Sequence, residues 1–186
     1  MEFNTDFFKS IGRPFLIAGP CAAELRDQLL NTAMALAGIR GLAAFRAGLW
    51  KPRTRPGDFE GVGEKGLVWL KEVREVTGLK LAVEIAIPAH AEACLNMGVD
   101  IVWLGARTVV NPFMVDELAT ALQGSDVYVI VKNPLNPDPG LWAGGIERLL
   151  KRDIIKLAAI HRGFDVFYSK PYRNLPLWEI PIELKN

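Results

Sequence analysis

The chain has little of several things that mark other protein classes. Its two cysteines, Cys21 and Cys94, are too few for a disulfide framework, so a reducing cytoplasm is the expected compartment. It also lacks a surplus of one charge, with 22 Lys and Arg against 21 Asp and Glu. A nucleic-acid binder carries a broad basic field, so nucleic acid is not an expected partner, and positive sites must be local ones suited to small anions. No apolar run approaches the roughly 20 residues that span a bilayer, and no membrane partner is expected. Residues 1–10 include Glu2 and Asp6 and no apolar stretch, which argues against a secretory signal. A GxGxxG after the first apolar run is missing too, and with it the fingerprint of an open dinucleotide-binding sheet. What is left is a globular chain, 50% hydrophobic over 186 residues, long enough to bury one core.

Along that chain one rhythm repeats. Short apolar runs at 15–18, 42–45, 79–85, 101–104, 127–131 and 154–160 alternate with amphipathic stretches at 26–37, 64–77, 89–97, 114–122 and 145–151. Gly38, Gly78 and Gly98 each sit just past a periodic segment, as helix-ending glycines do. Leu67, Leu70, Val73 and Val76 recur at three-residue spacing and predict one buried stripe. Strands without strict polar alternation, each followed by a helix, predict an α/β fold with a parallel sheet. Cys21, Arg46, Glu84, Arg107, Lys132 and Arg162 fall at or just past the ends of six different runs. In a (β/α)8 (TIM) barrel those ends meet at one mouth, where active sites are built; in an open sheet they would be strung along an edge. A closed barrel needs eight units and six are visible. The expectation is therefore a single barrel domain over 1–186, truncated after about six units, with its last two strands missing.

The stretch from Phe45 to Pro56 carries Arg46, Lys51, Arg53 and Arg55 among Gly, Pro and Thr. Guanidinium forks bind phosphate or carboxylate through paired hydrogen bonds, and lysine adds a compact charge. A solvated basic loop is the plain alternative, but a position directly after an apolar strand favours anion binding. Arg107 and Lys132 repeat the pattern, so Arg46, Lys51, Arg107, Lys132 and Arg162 come from five strand ends. So many cations at one mouth repel unless a multiply charged anion sits among them. Cys94, inside a helix, reads as a small buried hydrophobe. Cys21, at a strand end, reads either that way or as a thiolate ligand for a divalent metal. His161 is open between ligand, base and a side chain turned from the mouth. His90 reads as surface, and Glu84 either orients a cation or water or pairs with a nearby Lys or Arg.

Gly19-Pro20-Cys21, Lys51-Pro52-Arg53-Thr54, Gly105-Ala106-Arg107, the strand-end Lys132 and His161-Arg162-Gly163 stand in this order. As a set they resemble the DAHP synthase family, more narrowly its type I β class, related to the KDO8P synthases. The resemblance covers nearly the whole chain. It implies an enzyme of the shikimate pathway that joins phosphoenolpyruvate to erythrose 4-phosphate, usually as a homo-oligomer with a divalent metal such as Mn²⁺. Carried onto this sequence, Arg46, Lys51, Arg107, Lys132 and Arg162 would hold the phosphate and carboxylate of phosphoenolpyruvate. Pro52, Arg53 and Thr54, with Lys51, would line the erythrose 4-phosphate site. Lys51 would serve as the catalytic residue, and Cys21 as the first metal ligand.

Some features depart from the family. Its other metal ligands, a His in an Asp-Pro-Ser-His motif followed by a Glu and an Asp, have no counterpart here, so the chain alone is not expected to bind metal normally. Val83 stands where Thr is usual before Glu84. Two alternatives stay open: a KDO8P synthase-like enzyme, against which Lys51-Pro52 counts because that class reads Lys-Ala-Asn-Arg, and a non-catalytic phosphate-binding or regulatory fragment. A partner chain that completes the barrel is a third alternative to truncation.

Overall fold

A computed structural model of the protein describes residues 15–167, 171 and 174–185; the reading of residues 1–10 and part of that of 168–186 lie outside them. Among the described residues six strands are present: β1 (Leu16–Ala18), β2 (Leu42–Ala47), β3 (Lys80–Ile85), β4 (Ile101–Leu104), β5 (Tyr128–Lys132) and β6 (Leu157–Ile160). They form one sheet in sequence order, and every neighbouring pair is parallel. The helices are α1 (Arg26–Ala37), α2 (Lys65–Thr77), α3 (Pro88–Asn96), α4 (Pro112–Leu122), α5 (Pro139–Leu150) and α6 (Glu179–Lys185). An order that never reverses has no topological switch point. It is an arc of a (β/α)8 barrel, six strands long among the described residues, as the spacing predicts.

Local chemistry explains where the elements begin and end. Helix α2 stops at Gly78, whose φ of 69° suits a residue without a Cβ. Helix α4 starts at Pro112 behind Asn111, whose side chain accepts a hydrogen bond from the Met114 amide at 3.3 Å. Asp138 caps α5 in the same way, accepting from the Leu141 amide at 2.9 Å, with Pro139 next. These Asx-Pro starts set α4 two residues and α5 six residues earlier than apolar periodicity alone suggests. The stripe on α2 also needs correction: Leu67, Leu70 and Val73 are buried, but Val76 is 62% exposed. Three-residue spacing lags a 3.6-residue helix by about 60° per step, so a fourth member turns to solvent.

Each strand presents two faces. The outer one packs under the helices in a large apolar cluster that includes Phe45, Leu70, Val83, Leu104, Leu118, Val131 and Trp142. The inner one holds a small cluster of Ala44, Ala82, Ile101, Trp103 and Ile130. Two positions further along the inner face come Arg46, Glu84, Gly105 and Lys132, since a strand repeats its direction every second residue. The apolar layer is thus the floor beneath the charged residues. Among the described residues β1 and β6 are the sheet edges. Along β6, Ile146, Leu150, Leu157, Pro181 and Leu184 line an apolar groove of about 560 Å³, away from the charged mouth. Residues 179–185 form α6 beside α5.

Candidate active site

Three motifs interlock at the strand ends. The Gly19-Pro20-Cys21 turn leaves β1 and runs against the end of β2. Gly19 has φ 151°, and a methyl at its Cα would overlap the Arg46 carbonyl. Arg46 Nη1 donates to the Pro20 carbonyl at 3.0 Å. Lys51 Nζ donates to the Cys21 carbonyl and lies 3.6 Å from Cys21 Sγ. Gly48 makes this approach possible, since a methyl there would strike both Lys51 Nζ and the Cys21 carbonyl. The loop that carries Lys51 is pinned by its own backbone: the Lys51 amide donates to the Glu60 carbonyl at 2.7 Å, and Gly63 to Leu49 at 3.0 Å. From the end of β4, Arg107 Nη1 donates to the Pro52 carbonyl, and Nη2 to Thr54 Oγ1 at 3.4 Å.

Below them, the Arg46 guanidinium lies 4.8 Å and Lys132 Nζ 5.0 Å from the centroid of the Trp103 ring. Burial pushes Lys132 below its ordinary value; Glu84 opposes this, and Arg46, Arg162 and Lys51 add to it. Glu84 also packs against Gly105, where a side chain would collide with its carboxylate. Burial pushes the Cys21 thiol up, but the Lys51 charge and the hydrogen bond and charge of Arg46 outweigh it and leave the thiol below its ordinary value. Cys94 is buried, and burial pushes its thiol up to about 12, as expected of an inert core cysteine.

The residues named from the sequence are thus brought together unequally. Cys21, Arg46, Lys51, Pro52, Thr54, Arg107 and Lys132 form one connected set. Arg162 belongs to it through its charge near Lys132, and its amide donates to Asn133 Oδ1 at 2.6 Å. Arg53 turns back along its own loop and donates to the Phe59 carbonyl at 2.9 Å. His161 lies among aromatic rings, 4.8 Å from Trp178 and 5.6 Å from Phe164 by ring centroids. His90 is not plain surface as expected: it is half-buried and stacked on Trp50, with centroids 4.0 Å and planes 11° apart. Its Nδ1 accepts from the Ala86 amide at 3.3 Å.

Three residues escaped the sequence reading. Asn133 is fully buried and ties the ends of β5 and β6 together, its Nδ2 donating to the Gly163 carbonyl at 2.9 Å. Trp50, the neighbour of Lys51, is anchored by its stack on His90, and Trp103 forms the floor. Only Trp103 left a signal, two residues before Gly105 on the same face of its strand. No three His, Cys, Asp or Glu side chains converge among the described residues, and one thiolate does not make a metal site. What the cluster can do is hold a small, multiply charged anion through guanidinium forks and ammonium groups.

Comparison with known proteins agrees with this geometry. Residues 5–183 match the model of the DAHP synthetase I family. A curated phospho-2-dehydro-3-deoxyheptonate aldolase from Thermotoga maritima is 39% identical over 100 residues, which is 52% of this chain and 28% of that protein. A 2-dehydro-3-deoxyphosphooctonate aldolase from Nitratidesulfovibrio vulgaris is 38% identical over 173 residues, 88% of this chain and 62% of that one. Among solved structures, the phospho-2-dehydro-3-deoxyheptonate aldolase (DAHP synthase) of T. maritima superposes with a TM-score of 0.79 at 26% identity, over 92% of this chain and 47% of that one. A truncated form of 3-deoxy-D-arabino-heptulosonate 7-phosphate synthase from the same organism gives 0.75 at 25%, over 92% and 59%. The chain therefore spans between 28% and 62% of the length of these curated relatives.

Proposed function

We propose, because this chain belongs to the DAHP synthetase I family, that its cation-lined mouth binds phosphoenolpyruvate for condensation with erythrose 4-phosphate. The observation that carries the reading is the interlock of Lys51 with Cys21 and of Arg107 with Pro52 and Thr54. It ties the loop that would receive the sugar phosphate to the ends of β1 and β4. Arg46, Lys51, Arg107, Lys132 and Arg162 hold the phosphate and carboxylate of phosphoenolpyruvate. Pro52, Arg53 and Thr54, with Lys51, meet erythrose 4-phosphate, Arg53 swinging from the Phe59 carbonyl to its phosphate.

In this reaction C3 of phosphoenolpyruvate bonds to the aldehyde carbon, water adds at C2, and phosphate leaves to give DAHP. The chain's own contribution is to hold two mutually repelling anions in contact and to offset their charge. Lys51, touching both substrates, is the catalytic residue of the cradle. Cys21 would supply one ligand to a divalent metal such as Mn²⁺, whose contribution there would be Lewis-acid chemistry. A single donor does not fit a complete metal site, so the other ligands must come from outside the described residues. On this reading residues 1–186 are one barrel domain that lacks its last two strands, and it works in the cytoplasm, in a homo-oligomer, on the shikimate pathway.

A second reading rests on the longer match to the phosphooctonate aldolase, for which the acceptor would be arabinose 5-phosphate. The Lys51-Pro52-Arg53-Thr54 motif favours erythrose 4-phosphate. The deciding experiment follows phosphoenolpyruvate consumption by ultraviolet absorbance with each aldose and Mn²⁺. Chelator-sensitive turnover with erythrose 4-phosphate alone supports the first reading, and turnover with the pentose the second. Phosphoenolpyruvate binding without turnover would mark the chain as a phosphate-binding fragment.

A further inference from the structure

The floor of the mouth contains a tryptophan used differently from Trp142 in the outer core. Trp142, 1% exposed, is anchored by its Nε1, which donates to the Val131 carbonyl at 3.2 Å. Trp103 is 5% exposed, yet its Nε1 is buried with no hydrogen-bond partner among the described residues. A buried indole N–H usually finds an acceptor, and leaving it without one is costly. Leucine or isoleucine could fill an apolar layer without that cost, so filling alone does not account for this residue. What the indole alone supplies is its π face, and two cations lie against it: Arg46 at 4.8 Å and Lys132 at 5.0 Å. They reach it from β2 and β5, strands on opposite sides of β4 in the sheet.

We propose that Trp103 is a positioning residue of the anion site, its ring being the shared surface that holds Arg46 and Lys132 in place before any anion arrives. The electrostatics of the mouth create the need. Lys132 faces Glu84 from β3, Arg46 from β2, Lys51 from the loop after β2 and Arg162 from beyond β6. One carboxylate among so many cations leaves an excess of positive charge, and burial further disfavours the ammonium. A ring face attracts cations without carrying a negative charge of its own. It can steady both groups without competing for them once a phosphate or carboxylate binds, as a second carboxylate would. The purpose assigned to Trp103 rests on the proposed phosphoenolpyruvate site, but its effect on Lys132 can be read without any substrate.

The test labels the lysines with ¹³C at Cε and follows the Lys132 resonance, assigned by its loss in Lys132→Arg, through a pH titration. In Trp103→Leu the Lys132 midpoint should fall by about one pH unit, the loss expected for a desolvated cation–π contact. Trp103→Phe should keep about half of that difference. If Trp103→Leu does not fold, the same titration is run on wild-type protein grown with mono- and difluorinated tryptophan. Fluorine weakens the ring face with little change of shape, and the midpoint should fall stepwise. A midpoint unmoved in Trp103→Leu, or unmoved by fluorination, overturns the proposal. Calorimetry with phosphoenolpyruvate on the wild type separates the two ideas: no binding would remove the substrate reading, while the Lys132 titration still decides the role of Trp103.

Discussion

The two faces of the sheet come from the same strands and do opposite work. On the outer face Phe45, Val83, Leu104 and Val131 pack under helices with their neighbours fully enclosed. On the inner face a thin layer of Ala44, Ala82, Trp103 and Ile130 gives way, two residues on, to Arg46, Glu84 and Lys132. The outer residues gain free energy from burial and can be exchanged for others of similar volume. The inner ones set Arg46 and Lys132 near each other with Glu84 between strands as a partial offset, and the repulsion left over costs stability. Stability and recognition are thus separated by alternation along single strands, and mutations should sort accordingly.

The largest effect belongs to the outer face. Leu70→Ala removes a fully buried side chain of α2 and should destabilise the fold by about 2–5 kcal/mol, measured by urea unfolding. Phosphoenolpyruvate affinity of the protein that remains folded should stay within about twofold of wild type, the threshold at which additivity of distant sites holds. Lys51→Ala should show the reverse. Its loss removes charge-assisted contacts at the mouth, and calorimetry should find phosphoenolpyruvate binding about 10- to 100-fold weaker, while stability changes by about 1 kcal/mol or less.

A smaller effect follows from Lys132, whose ammonium is held below its ordinary value by burial. As pH rises through that lowered value, the folded protein loses a proton that the unfolded chain keeps until about 10.5. Folding stability therefore gains with pH across that window, while anion affinity falls because the neutral amine no longer attracts phosphate. Lys132→Met should abolish both trends in parallel pH titrations of unfolding and binding. The smallest effect is chemical. Iodoacetamide should label exposed Cys21 and leave buried Cys94 untouched in the folded protein, as peptide mapping would show; equal labelling would mean that Cys94 is not enclosed in the helical layer as described.

Much of the outer face was legible in advance, because a strand buried on both sides reads as an apolar run and a helix as a stripe. The runs at 42–45 and 101–104 fall inside or on β2 and β4, and the cluster of Cys21, Arg46, Lys51, Arg107 and Lys132 follows from their placement at strand ends. The early start of α5 was hidden because Gly140, Gly144 and Gly145 weaken its helical pattern, while the Asp138 cap and buried Trp142 secure it. The Trp50–His90 stack and the Asn133 bracket were hidden for another reason. Each joins segments 30 or more residues apart, and local periodicity carries no information about such pairs. Trp103 lay in plain view on an apolar strand, but only the positions of Arg46 and Lys132 reveal what its ring faces.

If the cations at the strand ends form one site for phosphoenolpyruvate, as proposed, the ligand must bind through them together. Calorimetric titration of phosphoenolpyruvate into the wild-type chain, Lys51→Ala and Arg107→Ala tests it most directly. Saturable binding by the wild type is expected, weakened by salt and reduced at least about tenfold in each variant. Absence of binding, or binding that neither substitution disturbs, would contradict the proposal.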